Sequence, residues 1–325
     1  MKIKLATFNL FQFVEPPYAW YNKKDKFNEK EWDEKTTWIK NQILKMNCDI
    51  IGFQEVFSRD ALESLVQEMG FNYFETVDIA KVSIHDKKKY ISTTVAIASK
   101  YPIIKMQRVK VNIPSLKKHR FVGNFNFSRV PIKATVMLPN DMELIVYVCH
   151  LKSNRLNEFE YLFNESHDLE HKKKRVAKAL EGTSATSLQQ RLCEASSLFF
   201  NIKRVKDTPV VLLCDFNDKE FSLSIDALSN NKYHDPDSKE GFILEDARYH
   251  YTEVVKNPHP EAKEPERKAT SYFLGKGNVL DYIFISKHFQ VMDYVVLDEH
   301  LHEHGNNLLL QSDHAQVVCE LVFNE

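Results

Sequence analysis

Polar side chains recur along this chain at the points where apolar, strand-like runs end. His150 closes the run 146–149, and Asp215 and Asn217 follow the run 210–214. In α/β proteins, ligands gather where strands end and side chains leave the core. Carboxylate and amide oxygens can hold a divalent cation, and imidazole can transfer protons. The residues at such positions are Asn9, Glu55, His150, Asp215, Asn217, Asp281, Asp313 and His314.

Each of these signals has a structural explanation when it is taken alone. Asp and Asn after a buried strand commonly stabilise a turn, and Ser312-Asp313 could form another one. Glu55 could cap a following helix, and a lone histidine such as His150 is more often structural than catalytic. Because so many of these residues stand at strand ends in one chain, a common site is favoured.

Strand-like runs dominate the sequence. Several are β-branched and apolar at consecutive positions, which is expected of strands that are covered on both faces. The alternation of Ile3, Leu5 and Thr7 with two lysines predicts a first strand. The other runs are 49–55, 94–98, 134–138, 144–151, 210–214, 279–285, 291–297 and 315–323.

Three segments have the apolar spacing of helices. They are predicted at about 31–46, 61–69 and 188–202. Gly70 supplies a stop for the second helix, and Ser187 with Gln190 predicts a capping box at the start of the third. Many strands and few helices indicate two packed sheets flanked by helices.

We expect one domain over residues 1–325. Domains of about 100–200 residues are commonest, which would favour two domains. However, no linker rich in Pro, Gly or Ser divides the chain. The segments 11–31, 153–181 and 257–268 are therefore predicted to be inserts in one body.

Composition places the chain among ordinary globular proteins. It has 325 residues, 43% of them hydrophobic, with 44 basic and 45 acidic residues. The net charge of -1 excludes a polycationic nucleic-acid coat protein, although not an enzyme with a local basic patch. The five cysteines show no CxxC spacing, so buried, reduced thiols and a cytoplasmic location are expected. No apolar run approaches the roughly 18–20 residues of a transmembrane segment.

Six short motifs, in order along the chain, resemble those of the endonuclease/exonuclease/phosphatase superfamily. The motifs are Thr7-Phe8-Asn9, Gln54-Glu55-Val56, His150-Leu151-Lys152-Ser153, Asp215-Phe216-Asn217-Asp218, Leu280-Asp281-Tyr282-Ile283 and Ser312-Asp313-His314. They run from residue 7 to residue 314, so the resemblance covers nearly the whole chain. It implies an α/β fold, a four-layer α-β-β-α sandwich of two packed mixed, mainly antiparallel sheets.

The resemblance also implies a hydrolase of phosphate esters that uses Mg²⁺, with Mn²⁺ as the other candidate. The metal ligands would be Glu55, the Asn9 amide and Asp313, the last directly or through water. A divalent cation neutralises charge in the transition state of phosphodiester hydrolysis. Mg²⁺ prefers oxygen ligands, and these three side chains provide them.

The remaining residues are candidates for catalytic roles. Asp215 is the candidate base for the attacking water, and Asn217 would donate a hydrogen bond to a phosphate oxygen as charge develops. His314 with Asp281 resembles the family's His–Asp couple, in which the carboxylate orients the ring and supports its charged form. His150 matches a histidine that some members place near the leaving group, where it can bind phosphate or donate a proton.

Two basic residues are candidate substrate-binding groups. Arg129 resembles the family's arginine ahead of a central strand, where it could contact phosphate, position other groups or form a structural ion pair. Lys152 lies two residues after His150 and could contact phosphate or simply be exposed.

Two groups of histidines stand outside these motifs. His167 and His171 fit H-x-x-E-H, a zinc-protease pattern. Their highly charged surroundings favour a solvated helix instead. His300, His302 and His304 could chelate a softer metal, but such clusters in polar loops are usually incidental.

Two segments could shape specificity. The aromatic segment 11–32 could stack bases or grip a sugar or lipid head group, or it could fill the edge of a sheet. The insert 153–181 ends in a basic run and could be a phosphate-attracting lid or a solvated helix.

The function favoured by these residues is a metal-dependent phosphodiesterase, with DNA or RNA as the modestly favoured substrate. The alternative is a phospholipase-C-like (sphingomyelinase-type) activity, or a phosphatase of inositol or sugar phosphates. A non-catalytic binding protein on the same fold is least favoured, because the residue set is retained. The balanced charge weakens the case for DNA, since no global positive field attracts a polyanion.

Overall fold

The computed structural model describes residues 1–22, 24–153, 162–181, 186–252, 267–273, 275–302 and 310–324. Most of the predicted insert 257–268, the start of the insert 153–181 and His304 lie outside the described residues. The strands are β1 (Lys2–Phe13), β2 (Ala19–Trp20), β3 (Ile50–Val56), β4 (Tyr73–Glu75), β5 (Lys89–Tyr90), β6 (Thr94–Ser99), β7 (Ile103–Arg108), β8 (Ile132–Met137), β9 (Glu143–His150), β10 (Val210–Asp215), β11 (Glu245–Asp246), β12 (Ser271–Phe273), β13 (Lys276–Asn278), β14 (Asp281–Ile285), β15 (Phe289–Leu297) and β16 (Gln316–Phe323). The helices are α1 (Glu29–Met46), α2 (Arg59–Glu68), α3 (Ile113–Lys118), α4 (Leu169–Leu180), α5 (Thr186–Lys203), α6 (Leu223–Ser229), α7 (Asn231–His234) and α8 (Glu299–His302).

Two six-stranded sheets form the centre of the molecule. The first has the strand order β15-β16-β1-β3-β6-β4, and the second has the order β11-β14-β10-β9-β8-β7. The β1–β3 and β9–β10 pairs are parallel, whereas the other neighbours in both sheets are antiparallel. Both sheets are therefore mixed and mainly antiparallel, as the family resemblance implied.

The two sheets pack face to face through alternate residues of their strands. In β9, Val146 and Val148 belong to the cluster between the sheets, whereas Ile145 and Tyr147 belong to the cluster under the helices. Successive side chains of a strand point to opposite faces, so both faces of β9 must be apolar. This explains why the central strands are apolar at consecutive positions.

Helices cover the outer face of each sheet and complete a four-layer arrangement. The outer cluster of the first sheet includes Ile39 and Ile43 of α1 and Leu62 of α2. The outer cluster of the second sheet includes Leu192 of α5 and Val176 of α4. No helix in the described part of the chain combines the length and apolar character needed to cross a membrane.

The predicted helices are found, but the predicted capping box at Ser187 is wrong. The helix α5 already begins at Thr186, so Ser187 lies inside it and is buried. A capping box occurs instead at α1, where Asn28 Oδ1 accepts from the Glu31 amide and Glu31 Oε2 accepts from the Asn28 amide. The left-handed φ of +88° at Gly70 confirms the predicted stop of α2.

Gly52 lies at a close approach between the two sheets. A Cβ atom at this position would lie 2.8 Å from Leu213 Cβ and 3.1 Å from either Cγ of Val148. We expect Gly52→Ala to lower the free energy of unfolding by about 1–3 kcal/mol, because the added methyl group overpacks this interface. Chemical denaturation measures the change.

Gly241→Ala is the matched control for this overpacking. Gly241 is exposed, and a Cβ atom added to it would meet no other atom within 4 Å. We expect its stability to stay close to that of the wild type, and equal stabilities for the two variants would contradict the close sheet contact.

Candidate active site

Three of the candidate residues lie side by side on neighbouring strands of the second sheet. Asp215 is paired in register with His150 of β9 on one side and with Asp281 of β14 on the other. The residues two positions away, Val148 and Leu213 among them, face the first sheet. By the alternation of strand side chains, the three candidate residues point the same way, into the space between the sheets.

Asp215 joins both sheets through its carboxylate. Its Oδ2 atom accepts a 2.9 Å hydrogen bond from Asn9 Nδ2 of β1 and lies 3.2 Å from His150 Nε2. Its Oδ1 atom accepts from the backbone amide of Asn217, which has a left-handed φ of +54°. Burial, only partly offset by the nearby His314, raises the pKa of Asp215 to about 7. A carboxylate with such a pKa can accept a proton near neutral pH.

His314 and Asp281 form a buried ion pair beside Asp215. The distance from His314 Nδ1 to Asp281 Oδ2 is 2.7 Å. Burial alone would lower the pKa of His314, but the carboxylates of Asp281, Asp215 and Asp313 together raise it well above its ordinary value. The imidazole is therefore held in its charged form.

Thr270 fixes the two halves of this ion pair, although no sequence motif marks it. Its hydroxyl accepts from the backbone amides of Leu280 and Asp281. Its carbonyl accepts from the amide of Ala315, next to His314. One residue thus ties the start of β14 to the segment that carries His314.

His150 is a neutral imidazole in the same cluster. Burial lowers its pKa well below the ordinary value, and the positive charges of Arg129 and His314 lower it further. Its Nδ1 atom is buried and has no hydrogen-bond partner among the described residues. The unused nitrogen of this neutral ring can form a hydrogen bond with a substrate, as donor or acceptor according to the tautomer.

Glu55 is turned towards the site by a local break in its strand. The register of β3 with β6 shifts between Phe53 and Val56, and Glu55 has a left-handed φ of +60°. Its Oε2 atom accepts from the amide of Gln12 at 2.9 Å. Non-glycine residues with such a φ are uncommon and often occur at functional sites.

The acidic residues of the site fit a divalent cation. The Oδ1 atoms of Asp281 and Asp313 are buried and have no hydrogen-bond partner among the described residues. Burial raises the pKa of Asp313 to about 6, although the charge of the nearby His314 lowers it. A cation would stabilise these carboxylate oxygens further, although Asp313 Oδ1 also lies 3.9 Å from the charged ring at His314 Nε2. Oxygen donors of this kind suit Mg²⁺ or Mn²⁺.

Ligand atoms of Asp215, Asp281 and His314 also lie within 4.8 Å of one another. A charged imidazole has no lone pair to offer a metal, so this trio is better described as an ion-pair network. The set Asn9, Glu55 and Asp313 remains the better candidate for the cation. Asn9 Oδ1 accepts from the Phe11 amide, which orients this side chain.

Lys35 is a buried cation that the sequence analysis did not identify. It has no exposed surface, and its Nζ atom donates to the carbonyl of Gln311 at 2.8 Å. Burial lowers the pKa of Lys35 to about 7, although the carboxylates of Glu55 and Asp313 raise it. The sequence feature that could have identified Lys35 was its position on the apolar face of α1, three residues after Trp32.

Tyr21 and Arg129 lie at the rim of the site. Tyr21 has a left-handed φ of +52° and is 51% exposed, and its ring packs edge-on against Phe57. Burial of part of the side chain raises the pKa of its hydroxyl, whereas Arg129 lowers it. Arg129 donates to the carbonyl of Leu151 at 3.2 Å and forms no ion pair within the described residues.

Lys152 is placed near the site by its main chain. Its amide donates to Glu194 Oε2 at 2.8 Å, and its carbonyl accepts from Arg191 at 3.3 Å. Its side chain is partly exposed. These main-chain contacts explain why Lys152 lies here. Contact between its side chain and phosphate stays a prediction.

The other histidines show no shared metal site within the described residues. His167 precedes α4, and although its ring lies 4.8 Å from that of His171, its Nδ1 atom accepts from the Asn164 amide and no third ligand joins the pair among the described residues. His300 bonds to the carbonyl of His314, and His302 bonds to Asp298. These contacts therefore support incidental histidines over a metal site.

A sequence model of the Endonuclease/Exonuclease/phosphatase family matches residues 6–314. The chain belongs to this family. All the candidate site residues lie within the matched range. Membership confirms, at family level, a hydrolase of the nuclease or phosphatase type. A sequence search of curated proteins gave no significant match.

Several solved structures resemble the chain over nearly its whole length. The human Nocturnin catalytic domain, solved with a bound sulfate anion, is 16% identical, with 99% of this chain and 94% of that chain covered and a TM-score of 0.60. A family protein from Bacteroides thetaiotaomicron is 16% identical, with 100% and 99% covered and a TM-score of 0.56. Truncated TDP2 from Caenorhabditis elegans is 13% identical, with 100% and 98% covered and a TM-score of 0.56. At these identities the likeness shows the shared fold, and it confirms the α-β-β-α sandwich.

Proposed function

We propose that this family member is a divalent-metal-dependent phosphodiesterase in which Asp215 is the base for the attacking water. The observation that carries the proposal is the buried carboxylate of Asp215 between Asn9 and His150, next to the charged His314–Asp281 pair. A base with a pKa near 7 beside a fixed positive charge suits attack of water on an anionic phosphate.

Glu55, Asn9 and Asp313 would hold the cation, as Mg²⁺ or Mn²⁺. When bound, the cation neutralises the charge that develops on the phosphate and the leaving oxygen. Lys35 supports this set by holding the carbonyl of Gln311, two residues before Asp313. A second hydrogen bond connects the same segment to β1, since the Ser312 hydroxyl donates to the carbonyl of Asn9 at 2.7 Å.

The other polar residues would act on the substrate. His314, kept charged by Asp281, would stabilise negative charge on a phosphate oxygen. Asn217 and Arg129 both donate to the carbonyl of Leu151, so their side chains lie near each other at the end of β9. His150 would bind the leaving group through its Nδ1 atom, which lacks a partner among the described residues, and it could give up a proton only after taking one, for example from the protonated Asp215 at Nε2.

We infer that residues 1–325 act as one domain, since each sheet contributes residues to the site. The five cysteines are free and buried, which supports a reducing compartment such as the cytoplasm. DNA or RNA remains the favoured substrate, and phospholipid head groups or sugar phosphates remain the alternatives.

Metal dependence and ester class are tested together in one assay. We expect hydrolysis of bis-p-nitrophenyl phosphate with Mg²⁺ or Mn²⁺, a loss of at least about 10²-fold with EDTA, and recovery when the metal is restored. Mono-p-nitrophenyl phosphate, plasmid DNA, RNA, sphingomyelin and inositol phosphates are compared in parallel. Hydrolysis that is unaffected by EDTA would contradict the metal proposal, and hydrolysis of monoesters alone would favour the phosphatase.

Tyr21 is our candidate for a stacking platform beside the scissile phosphate. Its half-exposed ring and its neighbour Arg129 could hold a base and the adjoining phosphate together. Because a stacked base contributes about 1–3 kcal/mol, we expect Tyr21→Ala to lower kcat/KM for a single-stranded oligonucleotide roughly tenfold.

Tyr21→Phe keeps the ring and should retain most of this activity. Tyr73→Ala removes another exposed tyrosine, on β4, and should leave kcat/KM unchanged. If Tyr21→Ala, Tyr21→Phe and Tyr73→Ala lower kcat/KM for the oligonucleotide equally, Tyr21 does not stack on the substrate.

A further inference from the structure

The basic run that ends the 153–181 insert is divided between two environments on α4. Lys172 is buried and pairs with Asp226 of α6 at 2.8 Å. Lys173 instead lines a separate cavity of about 290 Å³ in the outer helical layer of the second sheet. We propose that this cavity binds a small organic phosphate.

The cavity has a basic side and an apolar side. Lys118, Arg120 and Lys173 provide positive charge, and Glu181 is the acidic residue in the lining. The apolar wall consists of Val176, Ala177, Leu180, Leu192 and Leu223. A ligand that matches both sides carries an anionic group and an apolar body.

The positive charges are crowded around one aromatic ring. Lys118 Nζ lies 4.1 Å from the centre of the Tyr233 ring, and Lys173 Nζ lies 5.8 Å from it. Lys118 donates to the carbonyl of Tyr233 and forms no ion pair within the described residues, and neither does Arg120. Lys173 pairs with the exposed Glu170, which lies outside the cavity lining.

The two ammonium groups repel each other, although both lie over the Tyr233 ring. Burial lowers the pKa of Lys118 to about 8, and the charge of Lys173 contributes to the lowering. A phosphate group between the two ammonium groups would relieve their repulsion and accept charge-assisted hydrogen bonds from both. The size of the cavity, at the lower end for ligand sites, suits a small molecule rather than a polymer.

The test uses the full chain and isothermal titration calorimetry, with EDTA present so that metal-held anions do not contribute. Phenylphosphonate is the probe, because it has an anionic head, an apolar ring and no ester bond. We expect saturable binding of one equivalent, tighter than that of inorganic phosphate. Lys118→Met and Lys173→Met should each weaken it about tenfold or more.

Lys174→Met is the matched control, since Lys174 belongs to the same basic run, is exposed and does not line the cavity. It should leave phenylphosphonate binding unchanged. Ala177→Trp, which fills the cavity from its apolar side, should abolish binding without adding or removing a charge. All these variants should keep wild-type hydrolysis of bis-p-nitrophenyl phosphate, so a failure of the proposed activity stays separate from this test.

Three results would overturn the proposal. The first is an absence of saturable binding of phenylphosphonate. The second is equal affinity for inorganic phosphate and phenylphosphonate, which indicates an adventitious anion only. The third is binding that Lys118→Met and Ala177→Trp both leave unchanged, since the ligand would then lie elsewhere.

Discussion

Replacing Asp215 with asparagine should lower kcat for phosphodiester hydrolysis by about 10²–10⁴-fold, the usual contribution of a positioned acid–base group. The amide has nearly the same shape as the carboxylate, but it cannot take a proton from water. It can still accept the hydrogen bond that the Asn217 amide donates to Asp215 Oδ1. The variant should therefore fold, and single-turnover hydrolysis with saturating metal measures the chemical step directly.

Asp226→Asn is the matched control for the loss of a buried carboxylate. Asp226 is 6% exposed and pairs with Lys172 in the helical layer. Its replacement should cost stability, because Lys172 keeps its buried charge without a partner, yet kcat should stay close to that of the wild type. Full activity in Asp215→Asn, or an equal loss in both variants, would remove Asp215 from the role of base.

Strand ends and residue types predicted that several polar residues of the candidate site would lie together. Val146 to His150 and Val210 to Asp215 are apolar strands that end in polar residues, and both ends point into the same space. Strand periodicity places each polar residue on a defined face, so part of the convergence follows from local sequence. The family resemblance supplied the rest, since it placed motifs from residue 7 to residue 314 in one site.

Contacts between distant segments could not be predicted in this way. Lys35 bonds to a carbonyl 276 residues later, and nothing in the local sequence of α1 specifies that partner. Thr270 bridges Asp281 and the segment of His314 from a position with no motif. The left-handed turn at Glu55 is also a tertiary effect, because glutamate has no intrinsic preference for that conformation.

The capping box at Ser187 failed for a related reason. A serine with a glutamine three residues later is favourable at a helix start, but α5 begins at Thr186 and Ser187 is buried inside it. Packing contributes more to helix stability than a single cap does, so a serine that fits the cap pattern can instead be buried inside the helix. Sequence signals of this kind predict that a helix exists better than they predict its first residue.

The charge on His314 gives the second large expected effect. Replacing Asp281 with asparagine keeps a hydrogen-bond acceptor 2.7 Å from His314 Nδ1 but removes the carboxylate that raises the pKa of His314 most. We expect kcat at neutral pH to fall by about 10²–10⁴-fold, because the ring spends less time in its charged form and loses a strong orienting partner. His314→Ala should show a loss of similar size.

The pH profile separates this electrostatic role from a merely structural one. If charged His314 is required, activity is present below the pKa of His314 and is lost as the pH rises through it. Asp281 holds that pKa high, so Asp281→Asn should move the falling limb to lower pH, and NMR titration of the His314 ring should show the same shift.

The double variant Asp281→Asn, His314→Ala should have a kcat no lower than that of His314→Ala alone, since the two residues act as a unit. Two results would show that Asp281 does not act through His314. One is a pH profile whose falling limb is unchanged in Asp281→Asn, and the other is a double variant whose loss of kcat is the product of the two single losses.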